Sequence, residues 1–178
     1  VFNGCEFGAL EDRKRLCAVD VCRELGSEFD IESVVPVATK PSTLGEVLEP
    51  IAENDERWKT FEYLADKEKR DLEAGKNFKR QLLTPDAEKI GCVGRGYAKC
   101  RSTEPFVVHP TDSRYSRILT PVEHARAKGM PEHLIAGESE TVQHEIAGQS
   151  VVYPVFVAVG RAVGLYCAQA APALRLAA

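Results

Sequence analysis

The chain has 178 residues, of which 44% are hydrophobic and 28% are charged, proportions that exclude a disordered or collagen-like protein. Its formal net charge of −4 does not favour nucleic acid as a partner. Six cysteines without a C-x-x-C pair are too few for a disulfide scaffold, so we expect reduced thiols and a cytoplasmic location. The most apolar run, residues 151–160, is too short to cross a membrane, and no membrane partner is expected.

The first half of the chain predicts one strand and one long helix. The apolar run at residues 16–21 is typical of a buried strand. Residues 43–48 favour a single helical turn. Residues 55–74 predict the clearest helix, which ends at Gly75. Its expected apolar face consists of Trp58, Phe61, Ala65 and Leu72.

The second half begins with residues 84–115, where closely spaced glycines and weak periodicity predict loops with short strands. A sharper signal follows. Thr120 can cap a helix, Pro121 fits its first position, and Glu123 can complete a capping box. Gly129 suits the left-handed residue that ends such a helix.

A final helix is predicted to begin near Ser150. Pro154 is compatible with it because the first turn of a helix does not need that N–H group. The apolar stripe that would pack this helix against a sheet consists of Val152, Val155, Phe156, Val159 and Val163.

The sequence contains no clear motif for a metal site, a phosphate-binding loop or a catalytic nucleophile. The four histidines are too irregularly spaced for a zinc signature, so no metal site is predicted. The glycines at 91, 94 and 96 do not match a phosphate-binding loop, and no nucleophile elbow occurs. The residues by themselves therefore indicate an α/β domain with an excess of basic residues between positions 95 and 117.

Three segments, in order, resemble blocks of the DNA cytosine-5 methyltransferases. Residues 8–15 read GALEDRKR and resemble the block G-x-x-Q-x-R-x-R. Residues 117–131 read RILTPVEHARAKGMP and resemble R-x-L-T-P-x-E-x-x-R-x-x-G-[FM]-P. Residues 148–152 read GQSVV and resemble G-N-S-V-x. The chain departs from these blocks at Glu11, where Gln is usual, and at Gln149, where Asn is usual.

The resemblance implies an α/β fold in which partial methyltransferase (Rossmann-like) elements flank a mixed α+β target-recognition region. Residues 1–28 would be a late part of the catalytic domain, residues 29–118 the recognition region, and residues 119–178 the return to the catalytic domain. None of the six cysteines lies between Pro and Gln, so the family's nucleophile is expected in an N-terminal catalytic portion of the same or a partner chain. The chain begins at Val1 without an initiator Met or signal peptide, which also favours a piece of a longer protein.

The same resemblance implies roles for particular residues. Arg15 would contact the flipped cytosine, and Arg13 would support that contact or the DNA backbone. Gly148, Gln149 and Ser150 would offer N–H groups of a helix N-terminus to the carboxylate of the cofactor S-adenosylmethionine.

Residues 94–103, with the sequence GRGYAKCRST, are the expected reader of double-stranded DNA. Arg95 and Arg101 can pair with guanine, whereas Lys99, Ser102 and Thr103 can hold phosphates. We therefore expect the C-terminal, target-recognition part of a DNA (cytosine-5-)-methyltransferase, inactive by itself. A non-catalytic DNA-binding module and one chain of a split methyltransferase remain alternatives, and exposed apolar faces predict self-association.

Overall fold

The computed structural model describes residues 1–22 and 28–176, with side chains described as far as residue 170. Five helices lie in these segments. They are α1 (Gly4–Phe7), α2 (Glu62–Glu73), α3 (Pro121–Ala127), α4 (Glu140–Gln149) and α5 (Tyr153–Leu176). Short 3-10 turns are formed by Ile31–Ser33, Leu44–Glu46, Tyr97–Lys99 and Glu132–Leu134.

Two small sheets complete the mixed α/β fold. The strands are β1 (Phe2–Asn3), β2 (Lys14–Arg15), β3 (Gln81–Leu83), β4 (Pro105–Val108) and β5 (Ser116–Arg117). β1 pairs antiparallel with β2, while β4 lies between β3, which is parallel to it, and β5, which is antiparallel. Residues 84–115 were predicted as loops with short strands, and they contain one strand, β4, among loops.

The two ends of the chain pack against each other. α1 contacts α5, and the Leu10 N–H group donates to the Ala127 carbonyl at the end of α3 (2.8 Å). Phe7 and Val155 belong to the apolar cluster between these ends. A second cluster, which includes Leu10, Tyr97 and Leu119, joins both ends to the middle of the chain.

The predicted start and end of α3 are confirmed. The Thr120 hydroxyl accepts from the Glu123 N–H group (3.1 Å), and the Glu123 carboxylate accepts from the Thr120 N–H group (2.8 Å). Gly129 has φ of 64°, and the Met130 N–H group donates back to Ala125 (2.9 Å). This left-handed stop directs the chain away from the helix axis. The predicted turn at residues 43–48 is also confirmed, at Leu44–Glu46.

One predicted strand is wrong, and the predicted long helix is wrong in part. Residues 16–21 form no strand: the ladder of β2 ends at Arg15, no described strand pairs beyond it, and Leu16 is 80% exposed. The helix predicted from residue 55 begins only at Glu62, because Phe61 has φ of 47° and Lys59 pairs with Ser116 instead. The predicted apolar face fails as well, since Leu72 is exposed and Leu64 is the buried residue of α2.

The last two helices differ from the prediction in number. α4 was not predicted, and α5 begins at Tyr153 with Pro154 in its first turn. Val152 and Val155 are buried as expected, whereas Phe156 is 38% exposed. Among the described residues no single helix is long and apolar enough to cross a membrane; α4 and residues 153–170, bent by 47°, reach that length and composition only as a pair.

Candidate functional site

Residues 10–13, which include Arg13, run beside residues 90–93. The latter lead into residues 94–103, here called the basic loop. The Ile90 N–H group donates to Leu10 (2.9 Å), and the Asp12 N–H group donates to Ile90 (2.8 Å). One step further along, Arg13 Nη1 lies 3.4 Å from the Val93 carbonyl oxygen. The fold therefore brings Arg13, the predicted supporting arginine, next to the start of the predicted DNA-reading loop, although the two segments are distant in sequence.

The two arginines differ in their surroundings. The Arg13 side chain is 12% exposed, and its Nη1 also lies 3.4 Å from Glu11 Oε1. Arg15 is half-buried in β2, and its Nη1 donates to the Lys14 carbonyl (2.7 Å). Arg13 is thus held by protein groups, which suits a supporting role. The contact of Arg15 with a flipped base stays a prediction.

The basic loop, residues 94–103, presents its cations to solvent. Arg95, Lys99 and Arg101 are all exposed. Arg95 lies 3.6 Å from Glu145 of α4 in an exposed ion pair, a kind of contact that contributes little and can be exchanged for another anion. The Arg101 guanidinium lies over Gly96, where a Cβ atom would come within 2.6 Å of Cζ. Only glycine leaves room for the arginine in this position.

The far end of the loop offers fewer polar groups. Ser102 is half-buried, and Thr103 is exposed but uses its carbonyl to accept from Gln81 Nε2 (2.7 Å). Tyr97 anchors the middle of the loop: it is fully buried, its hydroxyl donates to Pro105 (2.7 Å), and the same oxygen accepts from the Leu119 N–H group (2.9 Å). The middle of the loop is thus fixed by Tyr97, while its cations Arg95, Lys99 and Arg101 remain exposed.

The geometry expected for residues 148–150 is wrong. Gly148 and Gln149 form the last turn of α4, and Ser150 caps its C-terminal end, so they do not provide the free N–H groups of a helix N-terminus. Gly148 is buried against Gly94, where a Cβ atom would lie 2.4 Å from the carbonyl. The Ser150 hydroxyl donates to Ala147 (2.7 Å). Gln149 alone has an exposed side chain, so this segment does not fit the predicted cradle for S-adenosylmethionine.

Two buried carboxylates accept hydrogen bonds from the start of the basic loop. The sequence analysis did not predict this role for either of them. Glu11 Oε1 accepts from the Val93 N–H group (2.8 Å), and Glu104 Oε1 accepts from the Gly94 N–H group (2.9 Å). Burial raises the pKa of Glu104. The Gln that is usual at position 11 could accept the same bond, so the sequence carried no signal for this role of Glu11.

A pair of buried histidines links the loop to α3 and α4. The Nδ1 atoms of His124 and His144 lie 3.1 Å apart, and Tyr97 packs edge-on against both rings at 5.4 and 5.3 Å. Burial lowers the pKa of His144 to about 4 and holds the pKa of His124 well below its ordinary value. Both rings are therefore neutral at pH 7.

The start of α3 rests on a buried ion pair. Arg117 donates to both carboxylate oxygens of Glu123 (2.6 and 2.8 Å), and neither side chain is more than 3% exposed. The same carboxylate accepts from the Glu49 N–H group (2.8 Å). The residues of the R-x-L-T-P-x-E block thus tie α3 to the middle of the chain. Within residues 1–22 and 28–176, no three His, Cys, Asp or Glu side chains converge as a metal site would require.

The chain is similar in sequence and in fold to known methyltransferases. The chain is 26% identical over 165 residues to the type II methyltransferase M1.ScrFI of Lactococcus lactis subsp. cremoris, covering 89% of this chain and 41% of that protein. The fold is similar to Schizosaccharomyces pombe Dnmt2 methyltransferase (TM-score 0.59, 17% identity, 80% of this chain and 48% of that one). It is equally similar to the Entamoeba histolytica methyltransferase EhMeth (TM-score 0.59, 15% identity, 90% and 51%).

The chain therefore spans about half the length of the proteins it resembles. The family model described as C-5 cytosine-specific DNA methylase matches residues 1–164. That match includes all three blocks, the basic loop between them and the contact of Arg13 with Val93. With nine-tenths of its length in the match, the chain belongs to the C-5 cytosine-specific DNA methylase family.

Proposed function

We propose that the chain is the C-terminal, target-recognition part of a DNA (cytosine-5-)-methyltransferase, which transfers a methyl group from S-adenosylmethionine to C5 of a flipped cytosine. The observation that carries the proposal is the 3.4 Å contact between Arg13 and the Val93 carbonyl. It sets Arg13 of the G-x-x-Q-x-R-x-R block beside the residue that precedes the basic loop, which supports the proposal that one stretch of duplex contacts both segments.

The side chains suggest different roles for Arg15 and for the basic loop. Taking a base out of the stack costs a few kcal/mol, which contacts to the phosphates and to the extruded base must offset. Arg15 is always charged and can donate to a base carbonyl and to a phosphate together. The exposed cations of the loop, Arg95, Lys99 and Arg101, would hold the duplex, and Ser102 and Thr103 would add contacts to phosphates.

The boundaries of the recognition region are part of the proposal. Contact between α1 and α5, together with the bond from Leu10 to Ala127, supports a single unit formed by residues 1–28 and 119–178. The region between them, residues 29–118, would be the target-recognition region. Residues 23–27, which fall at the first boundary, lie outside the described residues.

Methyltransferases of this type generally use S-adenosylmethionine, which supplies the methyl group. The attacking thiolate would come from the catalytic portion of the same or a partner chain, because none of the six cysteines stands between Pro and Gln. α5 exposes Phe156, Val157 and Leu165. We propose that this apolar surface packs on the catalytic portion and causes self-association of the isolated chain, which would act in the cytoplasm.

The proposal is tested by duplex binding of the chain and of the variant Arg95→Glu/Arg101→Glu. Charge reversal at two phosphate or base contacts should lower the affinity by about a hundredfold or more and flatten its dependence on salt. The control is Arg70→Glu, on the exposed surface of α2. Equal affinity of the double variant and the wild type would refute the assignment of the loop. The chain alone should transfer no methyl group from labelled S-adenosylmethionine to DNA, and turnover would refute its dependence on a catalytic portion.

A further inference from the structure

The basic loop leaves the rest of the fold at two consecutive N–H groups, and each is held by a buried carboxylate. Glu11 accepts from Val93 and Glu104 from Gly94. Glu11 is completely buried, and it stands in the block that carries Arg13. Its bond to Val93 is therefore a direct link between that block and the loop.

A buried cation faces the other oxygen of Glu11. Lys128 Nζ lies 3.5 Å from Glu11 Oε2, and both side chains have no exposed surface. Lys128 has no hydrogen-bond partner for Nζ within the described part of the chain, so Glu11 is its principal compensation. Burial lowers the pKa of Lys128, and the adjacent Glu11 opposes that shift.

An amide at position 11 would satisfy Val93 equally well. The carbonyl oxygen of Gln can accept the same N–H bond, and it needs no counter-charge. A carboxylate buried there without a cation would be strongly destabilising, and so would a buried ammonium without a carboxylate. Arg13 is a second cation at this carboxylate, with Nη1 3.4 Å from Glu11 Oε1, but it is partly exposed and also contacts the Val93 carbonyl. Lys128 has neither solvent nor a second partner among the described residues, so its burial is explained by Glu11.

We propose that Glu11 and Lys128 are a matched pair of positioning residues, in which Lys128 adds a completely buried counter-charge at Oε2 to that of Arg13 at Oε1, so that a carboxylate can hold the Val93 N–H group and fix the basic loop. The assignment of DNA reading to this loop rests on the proposed function. The pairing itself does not, and it predicts that Glu11→Gln is harmful with Lys128 present and harmless once Lys128 is replaced.

Hydrogen exchange tests the pairing without DNA. Peptide-resolved exchange is measured for the wild type, Glu11→Gln, Lys128→Met and the double variant. The control is Glu132→Gln, which makes the same change in an exposed ion pair with Arg126. Each single variant should accelerate exchange of residues 93–104 by about tenfold or more, and the double variant should return it to within about threefold of the wild type.

Three results would overturn the pairing: unchanged exchange in both single variants, a double variant as fast as the single ones, or equal acceleration throughout the chain. If the single variants fail to fold and the double variant folds, the pairing is supported. If the double variant also fails to fold, the pairing is wrong.

Duplex binding tests the positioning role. By fluorescence anisotropy, Glu11→Gln should weaken binding by about tenfold, and adding Lys128→Met should restore it. In the background Arg95→Ala/Arg101→Ala, Glu11→Gln should change affinity by less than about twofold, because its effect passes through the loop. An equal loss in both backgrounds would refute positioning. If the wild-type chain binds no duplex, the proposed function fails, while the exchange experiment still decides the pairing.

Discussion

The buried histidine pair predicts a specific loss of stability in mild acid. His144 is 3% exposed and His124 is completely buried, and burial lowers the pKa of His144 to about 4. The nearby Lys128 adds to the lowering at His124, after burial itself. Both histidines would take up protons in the unfolded chain at a higher pH than in the folded protein.

The magnitude follows from linkage. As pH falls through about 6.5, the unfolded chain binds protons that the folded protein does not, so the free energy of unfolding decreases until the folded pKa is reached. For His144 alone, with a folded pKa of about 4, the loss between pH 7 and pH 5 amounts to about 2 kcal/mol. His124 acts in the same direction. Above pH 7 neither residue changes the stability.

The assay is urea unfolding followed by the fluorescence of Trp58, the single tryptophan of the chain. With a denaturant slope of about 2 kcal/mol/M, the midpoint should fall by about 1 M or more between pH 7 and pH 5. His144→Gln should remove a large part of that pH dependence. His133→Gln, at an exposed histidine, should retain it. A wild-type midpoint that is equal at both pH values, or an unchanged pH dependence in His144→Gln, would refute the reasoning.

Two further predictions concern packing and the buried ion pair. Gly148→Ala places a Cβ atom 2.4 Å from the Gly94 carbonyl and should destabilise the chain by about 2 kcal/mol or more in urea unfolding. Gly164→Ala, in α5, where the added Cβ would meet no described atom within 4 Å apart from its neighbours and its own helix backbone, should stabilise it by about 0.5–1 kcal/mol; equal effects would contradict the close approach. Arg117→Met leaves Glu123 buried without its cation and should cost about 3–5 kcal/mol, whereas a loss below about 1 kcal/mol in the same assay would show that the pair is not essential.

The elements that could be predicted are those with local signals. Thr120, Pro121, Glu123 and Gly129 determine both ends of α3 through bonds within a few residues, so the sequence alone was sufficient. The three blocks likewise predicted the family, because each is contiguous.

The features that the sequence did not predict depend on contacts between segments that are distant in the chain. Lys59 pairs with Ser116, so α2 begins after this pairing, at Glu62. Helical periodicity in the sequence does not reveal such a pairing. α4 was not predicted, and its close packing at Gly148 against Gly94 is a contact between segments more than 50 residues apart. The support of the basic loop by Glu11 could not be predicted either, since the accepting and donating residues are 82 positions apart.

We propose that a DNA duplex contacts the basic loop and the Arg13–Arg15 segment together. Ultraviolet cross-linking of the chain to a duplex with 5-iodocytosine at single positions, mapped by mass spectrometry, tests it most directly. We predict cross-linked peptides from residues 94–103 and from the segment containing Arg15. Cross-links confined to α2 or α5, with none in those two segments, would contradict the account.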